Sequence, residues 1–265
     1  MQAFTYSNFS SVAEAAKAAT AGAKLIAGGQ SLLPAMKLGL AAPEALADLG
    51  GITDLVGITV AGGTVKIGAM TTHAAVAASK EVAAAIPALA HLAANIGDRQ
   101  VRHRGTLGGS LANNDPAACY PAAVLGLGAT VHTASPTGTR TIAADAFFKG
   151  LYETALAEGE IITAVSFPVP EKAAWQKFKQ PASRFSLVGV FVSKGSQGVR
   201  VAVTGAAACV YRCKELEAKL AADWSATACQ GVTVSSAGLN TDLHGSAEYR
   251  AALIAVLAER AVSAA

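Results

Sequence analysis

Two short segments, AGGQSL at residues 27–32 and TLGGSL at residues 106–111, constrain this chain more than anything else in it. Each joins a Gly-Gly pair directly to a hydroxyl or amide side chain. Glycine lets a backbone turn with its N–H groups converging and keeps Cβ atoms out of the way of an anion, while serine adds a neutral donor. A single such pair can equally be a turn: in ITVAGGTVKIG, residues 58–68, Gly62 and Gly63 lie between two alternating runs, as a hairpin requires. Two of them together can clamp a pyrophosphate from two sides. Neither is a Walker A loop, since no Gly-Lys-Ser/Thr follows, and neither has the GxGxxG order of a Rossmann dinucleotide site. Any nucleotide-binding fold here must be of another kind.

Around these segments alanine-rich helical spacing alternates with short β-branched runs, which predicts mixed α and β structure. Helices are expected over 11–20, 31–40, 72–78, 82–95 with a break near Pro87, 213–222 and 247–262, the last with Leu253 and Leu257 on one face. Strands are expected over 24–27, 129–133, 161–167, 176–179, 187–193 and 199–204. The basic stretch 97–104 and the glycine segment after it read as loop. Asp115 followed by Pro116 reads as a helix start, the carboxylate capping free amides and the proline sitting where no N–H is needed. VPEKAAWQK mixes prolines and charges as linkers do, which puts a domain boundary near Glu171. No internal repeat of fixed period occurs.

A chain of 265 residues is long enough for two ordinary domains or one large one. Only 15% of its residues are charged and 52% are hydrophobic, against about a quarter charged in an average protein. Either part of the surface is covered by a partner or alanine inflates the apolar count. The net charge of +3, 21 minus 18, comes without a block of like charges, so neither nucleic acid nor an anionic membrane is implied. No basic leader with an apolar stretch and no run of about 18 apolar residues is present, and a cytoplasmic protein without a transmembrane segment is expected. Cys119, Cys209, Cys213 and Cys229 form no CxxC pair and no zinc or iron-sulfur spacing, which predicts reduced structural thiols. His73, before a helix, and His91, in an apolar helical stretch, read as capping or packing residues; with no HExxH, GxSxG or His-Asp-Ser order, no metal ligand, catalytic acid or base is nominated.

The stretches AGGQSLLPAMKLGLAAPEALADLGGI and IGDRQVRHRGTLGGSLANNDPAACYPAA resemble the FAD-binding medium subunit of the molybdenum hydroxylases, the xanthine dehydrogenase and carbon monoxide dehydrogenase family. IGAMTTHAAVAAS, FKQPASRFSLVGVFV and DLHGSAEYRAALIAVLAERAV resemble it in the same order, so the resemblance spans nearly the whole chain. It implies an α+β protein with a PCMH-type (vanillyl-alcohol-oxidase-like) FAD-binding domain over 1–172, divided into subdomains of about 1–56 and 57–172. A smaller C-terminal domain of antiparallel sheet plus helices, of the carbon monoxide dehydrogenase flavoprotein type, would follow over 173–265.

Carried over position by position, Ala27, Gly28, Gly29, Gln30 and Ser31 would hold the FAD pyrophosphate together with Thr106, Leu107, Gly108, Gly109 and Ser110, with Ile26 and Leu32 flanking the first segment. Asp115 belongs to the cofactor-binding set of the second motif. Ile96 matches a large apolar residue packed against the flavin ring, Ile162 another apolar flavin contact, and Lys179 a lysine that reaches the flavin from the second domain. Lys177 shares the strand face of Lys179 and reads as an ordinary surface charge. Cys119 departs from the pattern, because many relatives carry an acidic residue there and a thiol cannot replace a carboxylate acceptor.

The function so implied is electron transfer. Reducing equivalents taken from a substrate at molybdenum would pass singly through 2Fe-2S clusters to the flavin and on to an external acceptor. Molybdopterin cofactor and clusters would belong to a large and a small partner subunit, in a dimer of heterotrimers. The alternatives are a stand-alone FAD-dependent reductase of the same fold, for which no substrate-protonating residue stands out, and a non-redox nucleotide-binding module.

Overall fold

The computed structural model describes residues 2–265. The chain opens with a small parallel sheet built from β1 (Thr5–Asn8), β2 (Lys24–Ile26) and β3 (Ala45–Asp48) in the order β1-β3-β2. Parallel pairing requires crossovers, supplied by α1 (Val12–Thr20) and α2 (Leu32–Lys37). Ser11 caps α1 by accepting from the Glu14 amide, and Ala15, Ala16 and Ala19 give the helix its buried stripe. The expected helix over 31–40 stops at Lys37, because Gly39 takes a φ of +73° and ends it, leaving Leu38 and Leu40 exposed.

The second layer is an antiparallel sheet flanked by helices. β4 (Ile58–Ala61) and β5 (Thr64–Gly68) form the expected hairpin, with Gly62 and Gly63 both at positive φ. Then come α3 (His73–Ala78), α4 (Lys80–Ala85), α5 (Pro87–Ala94), α6 (Arg99–Arg104), α7 (Leu107–Asn113) and α8 (Tyr120–Gly126). β6 (Thr130–Ser135), β7 (Gly138–Ala143), the short α9 (Ala144–Phe147), the small hairpin β8 (Phe148–Gly150) and β9 (Glu153–Thr154), and β10 (Ile161–Pro168) complete it. The sheet order is β4-β5-β10-β6-β7. Val65, Ile67, Val131, Val165 and Phe167 of the sheet pack with Leu89, Leu92, Leu107, Leu111 and Tyr120 of the helices in the largest core.

Three expectations for this layer are corrected. Residues 97–104 are not a loop: Asp98 accepts from the Val101 amide and starts α6, although no residue of that helix is buried. The second glycine segment is likewise the first turn of α7, with Thr106 as its cap. The helix expected from Asp115 begins five residues later, because Asp115 caps a local turn through the Ala117 amide and Pro121 supplies the proline of the first helical turn.

The remaining residues form an antiparallel sheet of β11 (Lys172–Lys179), β12 (Ser186–Gly195), β13 (Gly198–Thr204) and β14 (Tyr211–Arg212), with α10 (Lys214–Ala222) and α11 (Ala247–Ser263). Most of the expected linker is strand: β11 starts at Lys172, and Trp175 is buried with its ring 6.5 Å from that of Phe191. Side chains alternate across this sheet. Trp175, Phe191 and Ala202 complete the core of the second layer, whereas Val188, Val190, Val192, Val201 and Val203 face Ile254, Leu257 and Leu216 of the two helices. The sheet is therefore a wall shared by two cores.

Candidate functional site

The first glycine segment leaves β2 at Ile26 and enters α2 at Leu32. Gly29 lies at φ +72°, open to glycine at no steric penalty. Gly28 is required for a different reason: a Cβ there would lie 2.0 Å from the carbonyl oxygen of Arg104. The two glycine segments thus touch, and a Cβ on Gly109 would lie 3.4 Å from that of Ala27. Among the described residues no acceptor meets the backbone amides from Gly28 to Leu32, and the Ser31 hydroxyl makes no capping bond. This segment presents a row of free donors.

The second segment is different. The amide of Leu107 donates to Thr71 O, Gly108 to Ala69 O, Gly109 to the Thr106 hydroxyl and Ser110 to Thr106 O. Acceptor-free amides are therefore found in the first segment and not in the second, which brings side-chain hydroxyls and close backbone packing, with a Cβ on Gly108 2.6 Å from that of Ala69.

A cleft of about 420 Å³ opens between the second layer and the C-terminal sheet, lined by Asn95, Gly97, Arg102, Lys179, Gln180 and Arg184 with Ala94 and Pro181; Arg102 belongs to α6, whose last carbonyl, Arg104 O, is the one Gly28 packs against. Three cations and no carboxylate line it. Arg102 is anchored by donating to Ile96 O at 3.0 Å and Gly97 O at 3.2 Å. None of Arg99, Arg102, Arg104, Lys179 and Arg184 enters an ion pair among the described residues. Such unpaired positive charge beside free amides suits a phosphorylated ligand.

Lys179 ends β11 and its Nζ lies 3.4 Å from Asn95 Oδ1. Ile96, the residue after Asn95, packs half-buried against the central core. Ile162 lies within that core at 4% exposure, next to an irregularity in the pairing of β10 with β6. Asp115 stands with Tyr152, whose hydroxyl donates to it at 3.4 Å; beside it Asn114, left-handed at φ +44°, is buried with Oδ1 unpartnered. Lys177 is not the solvated charge expected: its Nζ donates to Asn95 O at 2.9 Å and lies 3.2 Å from Cys119 Sγ. The thiol at 119 also faces Ser186 Oγ at 3.6 Å, so it belongs to the contact between the start of α8 and the C-terminal sheet. Asn95, Arg102 and Arg184 were not singled out in the sequence. For Arg102 the signal was the run RQVRHR directly before the second glycine segment; the other two depend on long-range packing.

The chain is similar to several known proteins. The family model described as "FAD binding domain in molybdopterin dehydrogenase" matches residues 2–170. The nicotine 6-hydroxylase medium subunit of Paenarthrobacter nicotinovorans is 36% identical over 249 residues, which are 90% of this chain and 88% of that protein. The carbon monoxide dehydrogenase medium chain of Hydrogenophaga pseudoflava is 35% identical over 92% of this chain and 89% of its own. Among solved structures, reconstituted CO dehydrogenase from Oligotropha carboxidovorans superimposes with a TM-score of 0.91 at 34% identity, covering 99% of this chain and 97% of that one. No described helix is long and apolar enough to cross a membrane.

Proposed function

The chain belongs to the family of FAD-binding medium subunits of the molybdenum hydroxylases, and from that premise we propose that its two glycine segments and the cationic cleft beside them seat one FAD, as the flavoprotein component of a multi-subunit, molybdenum-dependent oxidoreductase. When bound, FAD supplies the redox chemistry, taking electrons from the iron-sulfur side and giving them to an external acceptor. The observation that carries this reading is the row of acceptor-free amides from Gly28 to Leu32, beside arginines that no carboxylate neutralises.

In this reading the first segment binds the pyrophosphate through its amides and the Ser31 hydroxyl, and Thr106 and Ser110 add hydroxyls from the second. Ile96, half-buried beside Asn95, offers apolar surface to the ring, whereas Ile162, expected as a second such contact, is closed off within the core at 4% exposure. Lys179 places a cation where reduction adds negative charge, and Asp115 lies at the end of the second motif. This reading needs no side chain as acid or base toward a substrate, as a stand-alone reductase would. The domain division at 1–172 and 173–265 is proposed with it, as are a molybdopterin-binding large subunit and a 2Fe-2S small subunit in a dimer of heterotrimers. A cytoplasmic location is also proposed, since all four cysteines are free thiols, as a reducing compartment keeps them. The relatives at similar identity carry names with different substrates, which fits a substrate pocket on another subunit.

Ser31→Asp tests the seat. It adds a carboxylate at an exposed side chain that caps nothing, so folding is preserved while phosphate is repelled. Most of the flavin absorbance per purified chain should be lost with unchanged circular dichroism; stoichiometric flavin in the variant would refute the pyrophosphate assignment. Gly28→Val is a poorer probe, because its side chain would collide with the Arg104 backbone whether or not a ligand binds.

A further inference from the structure

Asn95 sits where α5 ends, and every polar atom of its side chain and carbonyl is engaged. Its Nδ2 donates to His91 O at 2.9 Å and lies 3.3 Å from His91 Nε2. With the nitrogen held there, Oδ1 is the atom turned to Lys179 Nζ, at 3.4 Å. The opposite amide orientation would set an NH₂ group against an ammonium, donor against donor. The backbone carbonyl of the same residue accepts from Lys177 Nζ at 2.9 Å. One residue of the second layer therefore takes two of the three lysines of β11, Lys177 on its main chain and Lys179 on its side chain.

We propose that Asn95 is a positioning residue for the flavin-facing lysine: pinned by His91 and Lys177, it holds the Lys179 ammonium over the cleft. The proposal rests on the reading that Lys179 faces the flavin. An exposed lysine otherwise distributes its ammonium over many rotamers. Charge that swings into water is screened within about a Debye length, roughly 8 Å at physiological salt. A fixed acceptor at the cleft wall concentrates it where it can act on the electron affinity of a bound ring.

The test uses the assembled, FAD-loaded complex and reads the flavin midpoint potential by spectroelectrochemistry. Asn95→Ala should lower the potential in the same direction as Lys179→Ala and by less. The double variant should match Lys179→Ala alone, because Asn95 acts only through that ammonium. Asn95→Asp, which keeps the volume and neutralises the ammonium it holds, should lower the potential further than Asn95→Ala, and it serves as the probe where Asn95→Ala does not retain flavin. A potential unchanged or raised in the Asn95 variants, beside a lowered one in Lys179→Ala, overturns the proposal and leaves the Lys179 reading standing. Shifts that add fully in the double variant overturn it in the same way. An unchanged potential in Lys179→Ala overturns the Lys179 reading and the proposal with it.

Discussion

Glu160 shows how much one side chain can contribute to the response of this molecule to acid. Its carboxylate is 3% exposed and accepts from Arg140 Nε and Nη2 at 2.6 Å, from Thr133 Oγ1 at 2.5 Å and from the Ala157 amide at 2.8 Å. The Arg140 hydrogen bonds hold its pKa down to about 2 from 4.5, against the opposing effect of burial. A carboxyl depressed in the folded state stabilises fully above its unfolded value and loses that contribution as pH falls through the folded one. Because Arg140 is half-exposed and screened, Glu160→Gln should destabilise by about 2 kcal/mol at neutral pH. In urea titrations the gap to wild type should close between about pH 4.5 and pH 2. His73 acts in the window above. Burial, and secondarily Arg102, push its imidazole down to about 4 from 6.5, so the unfolded chain takes the proton first and stability falls as pH drops from 6.5 toward 4. His73→Gln should flatten that part of the profile; an unaltered slope would show that His73 is not the group responsible.

At the scale of elements, α6 is the informative case. RQVRHR has no apolar stripe, and nothing in it is buried; a periodicity argument therefore finds no helix there. The helix is set instead by the Asp98 cap and by the Arg102 bonds to the carbonyls of Ile96 and Gly97. Asp98→Ala should cost about 1 kcal/mol, lower the melting temperature and speed hydrogen exchange at the amides of 101–104. It should also weaken flavin retention, because Arg102 loses its anchor. Unchanged exchange there would mean that the cap is not what holds the helix. By contrast α1 and α11 were legible, since Ala15, Ala16, Ala19 and Ile254, Leu257, Ala261 recur at helical spacing. TLGGSL was misread as a loop because glycine disfavours helices, whereas Thr106 overrides that preference locally. β7 was missed because five of its six residues are exposed, which leaves no alternation to read. The glycine segments themselves were visible in the sequence. The hold of Asn95 on Lys177 and Lys179, across more than 80 residues, left no local trace.

For the whole molecule the C-terminal sheet decides cooperativity. Arg200 of β13 is buried, donates to Leu125 O at 2.9 Å and meets both oxygens of Asp145 at 2.7 and 2.8 Å, all in the second layer. Arg200→Leu removes this tie and leaves Asp145 only its 3.4 Å contact with Arg212, which should destabilise by roughly 2–3 kcal/mol, given that Asp145 is half-exposed. Calorimetry of the wild-type chain should show the second layer and the C-terminal sheet melting in one transition, because Trp175, Phe191 and Ala202 belong to the core of the second layer. Two resolved transitions would refute this coupling.

The same shared wall sets an order of events during synthesis. A ribosome releases the segments with the glycine motifs first, while the strands that close their core, and Lys179 with them, are still to be translated. The nascent N-terminal portion therefore emerges with α8 lacking its cover, and the cleft has only one side. With the cofactor seat proposed above, capture in its final form must wait until translation has passed β13.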